Sequence, residues 1–125
     1  MENKWKNKNF FEALKNSING LIYAIKEQKN LKFKLFIALI VMILSIVLKI
    51  NKIEILFVCI SICFVVFAEI VNTSIEKVVD LVTEEYNEKA KLAKDIAAGA
   101  VIISSLNAVI IGMIIFGDKI INIII

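Results

Sequence analysis

Three apolar runs set between blocks of lysine and carboxylate constrain this chain more than any other feature. Residues 35–48 and 96–117 carry no charge, and 55–75 carries only Glu69. The second and third runs reach the roughly 20 residues a helix needs to cross a bilayer. The first reaches nearly that length once Phe33 and Ile50 are included and Lys34 and Lys49 snorkel toward the headgroups. No proline interrupts any of them. Backbone in lipid must satisfy its own hydrogen bonds, so the expected fold is an all-α membrane protein. It comprises one domain, 1–125, with residues 1–32 cytoplasmic and interfacial and transmembrane helices at about 33–50, 53–75 and 95–117.

Composition narrows the chemistry. A hydrophobic share of 59% against 22% charged argues against a freely soluble enzyme. There is no histidine, which excludes a His-dependent triad and a His-ligated metal. All 15 basic residues are lysine, so an anion would meet ammonium groups or backbone amides instead of a guanidinium fork. A net charge of +3 without a basic stripe gives no reason to expect nucleic acid. Cys59 and Cys63 sit in an apolar run with no third cysteine, and read as small hydrophobes. Charge interrupts residues 1–34 throughout, so no secretory signal is expected there.

Lysine placement sets orientation. Eight lysines precede residue 35 and four lie at 77–94, against Lys49, Lys52 and Lys119 on the other side. The positive-inside rule places the N-terminus and the 77–94 connection in the cytoplasm, and the 49–54 turn and the C-terminus outside. Ahead of the first span, Phe11, Leu14, Ile18, Ile22 and Ile25 fall on one helical stripe, with Lys15, Asn16, Asn19, Tyr23 and Lys26 off it. This amphipathic helix lies in the headgroup boundary, with Trp5 and Phe10 as anchors, or packs on its own bundle. Gly20 at mid-helix asks for a close neighbour or a ligand.

The second run ends in a polar pattern. Glu69, Asn72, Glu76 and Asp80 follow i, i+3, i+7 and i+11 spacing and share one narrow helix face. Carboxylates so placed repel unless a cation sits among them, and a divalent metal is the economical choice. Glu76 and Asp80 also fit a solvated helix end. Glu69 does not: it lies roughly 10 Å deeper along the helix, and an intramembrane carboxylate implies function. The third run opens with Lys94 and Asp95 beside small residues. Carboxylates for Mg²⁺, a lysine for phosphate charge and a deeper carboxylate to take a hydroxyl proton are the parts of phosphoryl transfer.

These residues resemble the bacterial diacylglycerol kinase and undecaprenol kinase family. The likeness rests on Glu69-x-x-Asn72-Thr73-x-Ile75-Glu76-x-x-x-Asp80, on Glu85-Tyr86, and on Ala90-x-x-Ala93-Lys94-Asp95-x-Ala97-Ala98-Gly99-Ala100-Val101. It runs without gaps from about residue 14 to about 113. It implies a homotrimer of three-span subunits with surface helices, transferring the γ-phosphoryl group of MgATP to a lipid hydroxyl without a P-loop. Carried over by position, Glu69 resembles the general base, Asn72 a polar neighbour in the same site, Glu76 the metal-bridging carboxylate and Lys94 the phosphate contact. Glu85, Tyr86, Asn87 and Asp95 resemble the nucleotide-contacting set, and Asp80 an orienting group. Asn30 and Lys32 match lipid-headgroup contacts by position only.

One position departs from the pattern. Better-known family members carry a second metal-ligating glutamate where this chain has Gln28, an amide that ligates Mg²⁺ without charge. Glu27 is adjacent, but one helical step turns it about 100° away. The Asn-Thr and Ala-Ala-Gly-Ala-Val forms look more like undecaprenol kinases than diacylglycerol kinases. The alternative function is a small proton-coupled transporter using Glu69, which leaves Glu76, Asp80, Lys94 and Asp95 unexplained. A structural or holin-like protein explains the hydrophobicity but not the one-face stripe.

The lysine distribution makes a topological prediction. In a chain whose two natural cysteines are replaced, a membrane-impermeant thiol reagent added outside should label a cysteine at Asn51 and leave one at Asn87 unlabelled. The reverse pattern would place the polar constellation away from cytoplasmic nucleotide.

Overall fold

The computed structural model describes residues 3–125, and these form four helices joined by short connections, with no strand among them. They are α1 (Phe10–Glu27), α2 (Lys29–Val47), α3 (Lys52–Val82) and α4 (Glu88–Ile124). The last three are each long and apolar enough to cross a membrane. The chain is therefore a multi-pass membrane protein, with the shorter α1 ahead of three long apolar helices.

The expected spans and the observed helices differ at their ends. At 1.5 Å per residue α2 is about 28 Å long, close to the roughly 30 Å hydrocarbon core, whereas α3 and α4 reach about 46 and 55 Å and overshoot it. Hydropathy marks where lipid is; the helical ladder continues into water until a cap stops it. α3 begins at a capping box in which the Asn51 side chain accepts from Glu54 N and the Glu54 carboxylate accepts from Asn51 N, both at 2.9 Å. It stops at Thr83, which is extended. α4 begins where the Asn87 side chain accepts from the amides of Lys89 and Ala90.

The first span ends as a helix at Val47, three residues short of the expected 50. Lys49 adopts φ 51°, its N–H donates to Ile46 O, and the Ile50 N–H donates to Ser45 O. This is a Schellman closure, in which orphan carbonyls of the last turn are satisfied by a left-handed residue usually filled by glycine. Its hydrophobic partner is present: Ile50 is buried with Val58, Ile115 and Phe116, and Leu44 packs on that cluster. The two long helices α3 and α4 run side by side as an antiparallel hairpin. Ion pairs link them near both ends, Glu54 to Lys119 at 3.8 Å and Asp80 to Lys94 at 2.6 Å.

α1 settles the choice left open by its periodicity. The stripe residues Phe11, Leu14, Ile18, Ile22 and Ile25 remain 38–78% exposed, so they do not face the bundle. The bundle side is a different face, with Ser17, Gly20, Tyr23 and Ala24 lining a groove against α3. Tyr23 receives a 2.9 Å hydrogen bond from Lys77, whose ammonium also sits 5.0 Å from the ring centroid. The neighbour expected at Gly20 is absent: a Cβ there would meet no atom within 4 Å.

A left-handed conformation costs an L side chain roughly 1–2 kcal/mol, partly offset in glycine by its greater chain entropy. Lys49→Gly should therefore stabilise the folded chain by up to about 1 kcal/mol, and β-branched Lys49→Val should destabilise it. Unfolding midpoints in lipid nanodiscs would check this. Equal midpoints for both variants would show that the turn does not hold Lys49 in that conformation.

Candidate functional site

The site begins with one buried charge. Glu69 is 5% exposed, and helix α3 places it about three turns inside its own C-terminal end. Its Oε1 accepts a 2.5 Å hydrogen bond from Lys34 Nζ of α2. Lys34 also donates to Ser105 Oγ of α4 at 3.4 Å, so a single ammonium joins all three spans. An unpaired carboxylate at such depth is costly, and pairing is the physical condition for keeping it there. Thr73 Oγ1 donates to the Glu69 carbonyl at 2.9 Å, which satisfies the only other buried hydroxyl nearby on that turn.

One turn toward the polar end, Asn72 Nδ2 donates to Glu76 Oε1 at 3.2 Å. A carboxylate only accepts, so this bond fixes the amide with its oxygen on the other side. That oxygen, Asn72 Oδ1, is buried and has no partner. Glu69, Asn72 and Glu76 line one pocket of about 340 Å³ with Asn30 and Lys34, closed on the α4 side by Ala98, Val101 and Ile102. A second, apolar cavity of about 380 Å³ lies between the three spans, and Phe33 and Lys34 line both. The buried Ser61 hydroxyl, also unpartnered, lines the apolar one. The polar pocket thus adjoins a lipid-like space.

Beyond the spans, Asp80 turns away from the pocket to Lys94 of α4. That hydrogen bond holds the Lys94 ammonium above its usual range against some desolvation, and the charges of Asp80 and Glu76 add to it. Lys77 is raised in the same direction, first by its bond to Tyr23, with Glu27 and Asp80 contributing. Asp95 pairs with Lys91 at 2.5 Å on the exposed face of α4. Glu85, Tyr86 and Asn87 form the α3–α4 connection, all exposed. There Thr83 Oγ1 accepts from Glu85 N, and the Asn87 side chain is engaged as the α4 cap. Lys32 is exposed and outside the pocket.

The structure changes the reading of residues 27 and 28. Helical phasing set Glu27 about 100° from Gln28 on one continuous helix. The helix instead stops at Glu27, and Gln28 is an extended junction residue (φ −99°, ψ 108°) between α1 and α2. Phasing therefore does not separate the pair. Gln28 is half-buried and makes no side-chain hydrogen bond to Glu76, whereas the Glu27 charge acts on Lys77, next to Glu76 in sequence. The sequence pattern does not reveal the contacts of Lys34 and Ser105 with this site. Lys34 reads as a snorkelling residue at the head of the first run, yet a carboxylate inside a span calls for a cation at matching depth.

The donor set suits one kind of metal better than another. No group of three or more Asp, Glu, Cys or His side chains close enough to cage an ion occurs among the described residues. Glu76 with the unpartnered Asn72 Oδ1 beside it offers few protein oxygens. That fits Mg²⁺, which keeps waters and binds through one or two carboxylates plus substrate phosphates.

Fold and pocket together define a small multi-pass membrane protein with a charged pocket adjoining an apolar cavity. The prokaryotic diacylglycerol kinase model matches residues 15–116, and the chain belongs to that family of lipid kinases. A diacylglycerol kinase of Synechocystis sp. is 38% identical over 94 residues, covering 74% of this chain and 54% of that protein. This chain therefore matches about half the length of that relative. An undecaprenol kinase of Bacillus subtilis is 33% identical over 110 residues, covering 88% of this chain and 89% of that protein. A diacylglycerol kinase of Haemophilus influenzae is 33% identical over 92 residues, covering 74% and 78%. Family membership does not favour the transporter alternative.

Proposed function

We propose that this chain transfers the γ-phosphoryl group of MgATP to the hydroxyl of a membrane lipid, undecaprenol in preference to diacylglycerol. The observation that carries this reading is the placement of Glu69, a buried carboxylate lining a polar pocket next to an apolar cavity that shares Lys34 with it. A lipid tail in the cavity would bring its hydroxyl to Glu69 from the membrane side. Nucleotide would arrive from water, where Lys94, Asp95, Glu85, Tyr86 and Asn87 stand at the α3–α4 end. The preference for undecaprenol is supported by the Asn72-Thr73 and Ala97-Ala98-Gly99-Ala100-Val101 forms and by the near full-length match to the Bacillus enzyme.

The step balances with residues at hand. As the lipid oxygen attacks the γ-phosphorus, its proton passes to Glu69; the bond from that phosphorus to the bridging oxygen breaks, and ADP leaves with the electron pair. Asn72 stays beside the base and holds Glu76, and Asp80 orients Lys94 toward phosphate charge. Mg²⁺ bound with the nucleotide would neutralise phosphate oxygens, held by Glu76 with Gln28 as an uncharged second ligand. Asn30 and Lys32 are assigned to the lipid headgroup. The functional unit is a homotrimer with the N-terminus cytoplasmic and the C-terminus outside.

Purified protein in mixed micelles, given Mg²⁺ and labelled ATP with undecaprenol or diacylglycerol separately, should label undecaprenol faster. Folded protein that labels neither lipid would sink the reading. Glu69→Gln should lower turnover by about 10²- to 10⁴-fold, the usual worth of a general base, with little change in nucleotide binding. Near-normal turnover would remove Glu69 from that role.

The junction residue gives a separate prediction. Gln28→Glu adds charge beside Glu76 and Mg²⁺, an effect on the order of 1 kcal/mol or more at an effective dielectric near 20, so half-maximal activity should need several-fold less Mg²⁺. Glu27→Gln should change that requirement little. If Glu27→Gln raises it strongly while Gln28→Glu is silent, Glu27 is the ligand.

A further inference from the structure

We infer that Lys34 is the positioning residue for the base, holding one oxygen of the Glu69 carboxylate in place and leaving the other available to the acceptor hydroxyl. The inference rests on the kinase reading and deepens it. Lys34 Nζ holds Glu69 Oε1 at 2.5 Å, no hydrogen bond reaches Oε2 among the described residues, and Glu69 lines the polar pocket. A buried carboxylate without a countercharge is costly, and the Lys34 ammonium supplies that countercharge by direct contact. The ammonium is itself anchored, through Ser105 Oγ at 3.4 Å on a third helix, and its side chain is only 22% exposed. Two of its three N–H donors are thereby assigned, so the charge is fixed in place and does not swing on a long tether.

The position of Lys34 adds a second argument. It lines both the polar pocket and the apolar cavity, so a hydroxyl passing from one to the other reaches Glu69 alongside this ammonium. In the transfer step the hydroxyl proton moves to Oε2, the lipid oxygen forms its bond to the γ-phosphorus, and ADP leaves with the pair from the broken bond. Lys34 neither gives nor takes a proton in this step. It therefore acts on the reaction through Glu69, and its removal should slow the chemical step without weakening nucleotide binding.

The test uses the full chain in lipid nanodiscs and measures lipid phosphorylation with kcat and the KM for ATP resolved. Lys34→Met should lower kcat by about 10²-fold or more and leave the KM for ATP within about twofold. Lys34→Arg, which keeps a cation, should recover most of the loss. In a Glu69→Gln background, Lys34→Met should cost little further, because the residue it serves is gone. Lys34→Gln, which keeps an N–H donor but no charge, is expected to show the same kcat loss and decides the matter should the methionine variant not fold. Three outcomes overturn the inference: kcat held within threefold in the uncharged variants, a loss that falls on the KM for ATP, or losses that multiply in full with Glu69→Gln. Wild-type protein that phosphorylates neither lipid would instead overturn the kinase reading, and this inference with it.

Discussion

A charge cannot be left alone in hydrocarbon, and in this chain that constraint falls on Glu69. Removing one partner of a buried ion pair typically costs about 3–5 kcal/mol, a large part of the stability of a small domain. The Lys34 contact is therefore a strong condition on how α2 sits against α3, and the Ser105 contact extends it to α4. A one-residue shift of α2 would rotate Lys34 by about 100° and strand both charges. Apolar side chains alone would not give such register, since lipid tails solvate leucine and isoleucine as well as a neighbouring helix does. Lys34 lines both the apolar cavity and the polar pocket, and Glu69 lines the polar one.

What the sequence makes legible follows from which signals are local. The three spans are plain from hydropathy, and the i, i+3, i+7 pattern foretells that Glu69, Asn72 and Glu76 reach one pocket. Asp80 shares the face, since eleven residues fall within about 20° of three full turns, but it lies beyond the pocket and pairs with Lys94 of α4. The Lys34 partnership is not legible, since it joins residues 35 apart in sequence and hydropathy only says that a lysine near a span end can snorkel. The break at Gln28 is equally hidden. Neither glycine nor proline marks it, and the chain turns there so that an interfacial helix can become a crossing one.

The helix ends show competition between local chemistry and function. Asn87 resembles a nucleotide contact by position, yet its side chain caps α4 through the Lys89 and Ala90 amides. The cap engages the side-chain oxygen, so a part in nucleotide binding would run through the amide nitrogen, the backbone, or a loosened cap. Lys49 is the converse case. Nothing but turn geometry acts on it, and a lysine occupies a site that favours glycine, at the face where a long cationic side chain can reach headgroups. α1 divides its labour by face. Ser17, Gly20, Tyr23 and Ala24 face α3, and the apolar stripe is exposed on another face.

A lipid kinase must bring together two substrates that share no solvent. The alcohol is confined to the bilayer and the nucleotide to water, so the base must stand where both can reach it and yet remain charged. A base further toward water would be easily ionised but beyond the reach of an acyl or prenyl alcohol without drawing its chain out of the membrane, at roughly 0.8 kcal/mol per exposed methylene. A base further toward the bilayer centre would be reached by the alcohol but not by a triphosphate. Glu69 sits two turns inside Glu76, so the group assigned to the alcohol and the group assigned to nucleotide metal stand roughly 10 Å apart along one rigid helix. The pocket between them is closed on α4 by Ala98, whose small side chain leaves that span clear. In the proposed reaction the lipid hydroxyl and the γ-phosphate meet within this interval, and the ammonium of Lys34 holds the carboxylate at its inner end.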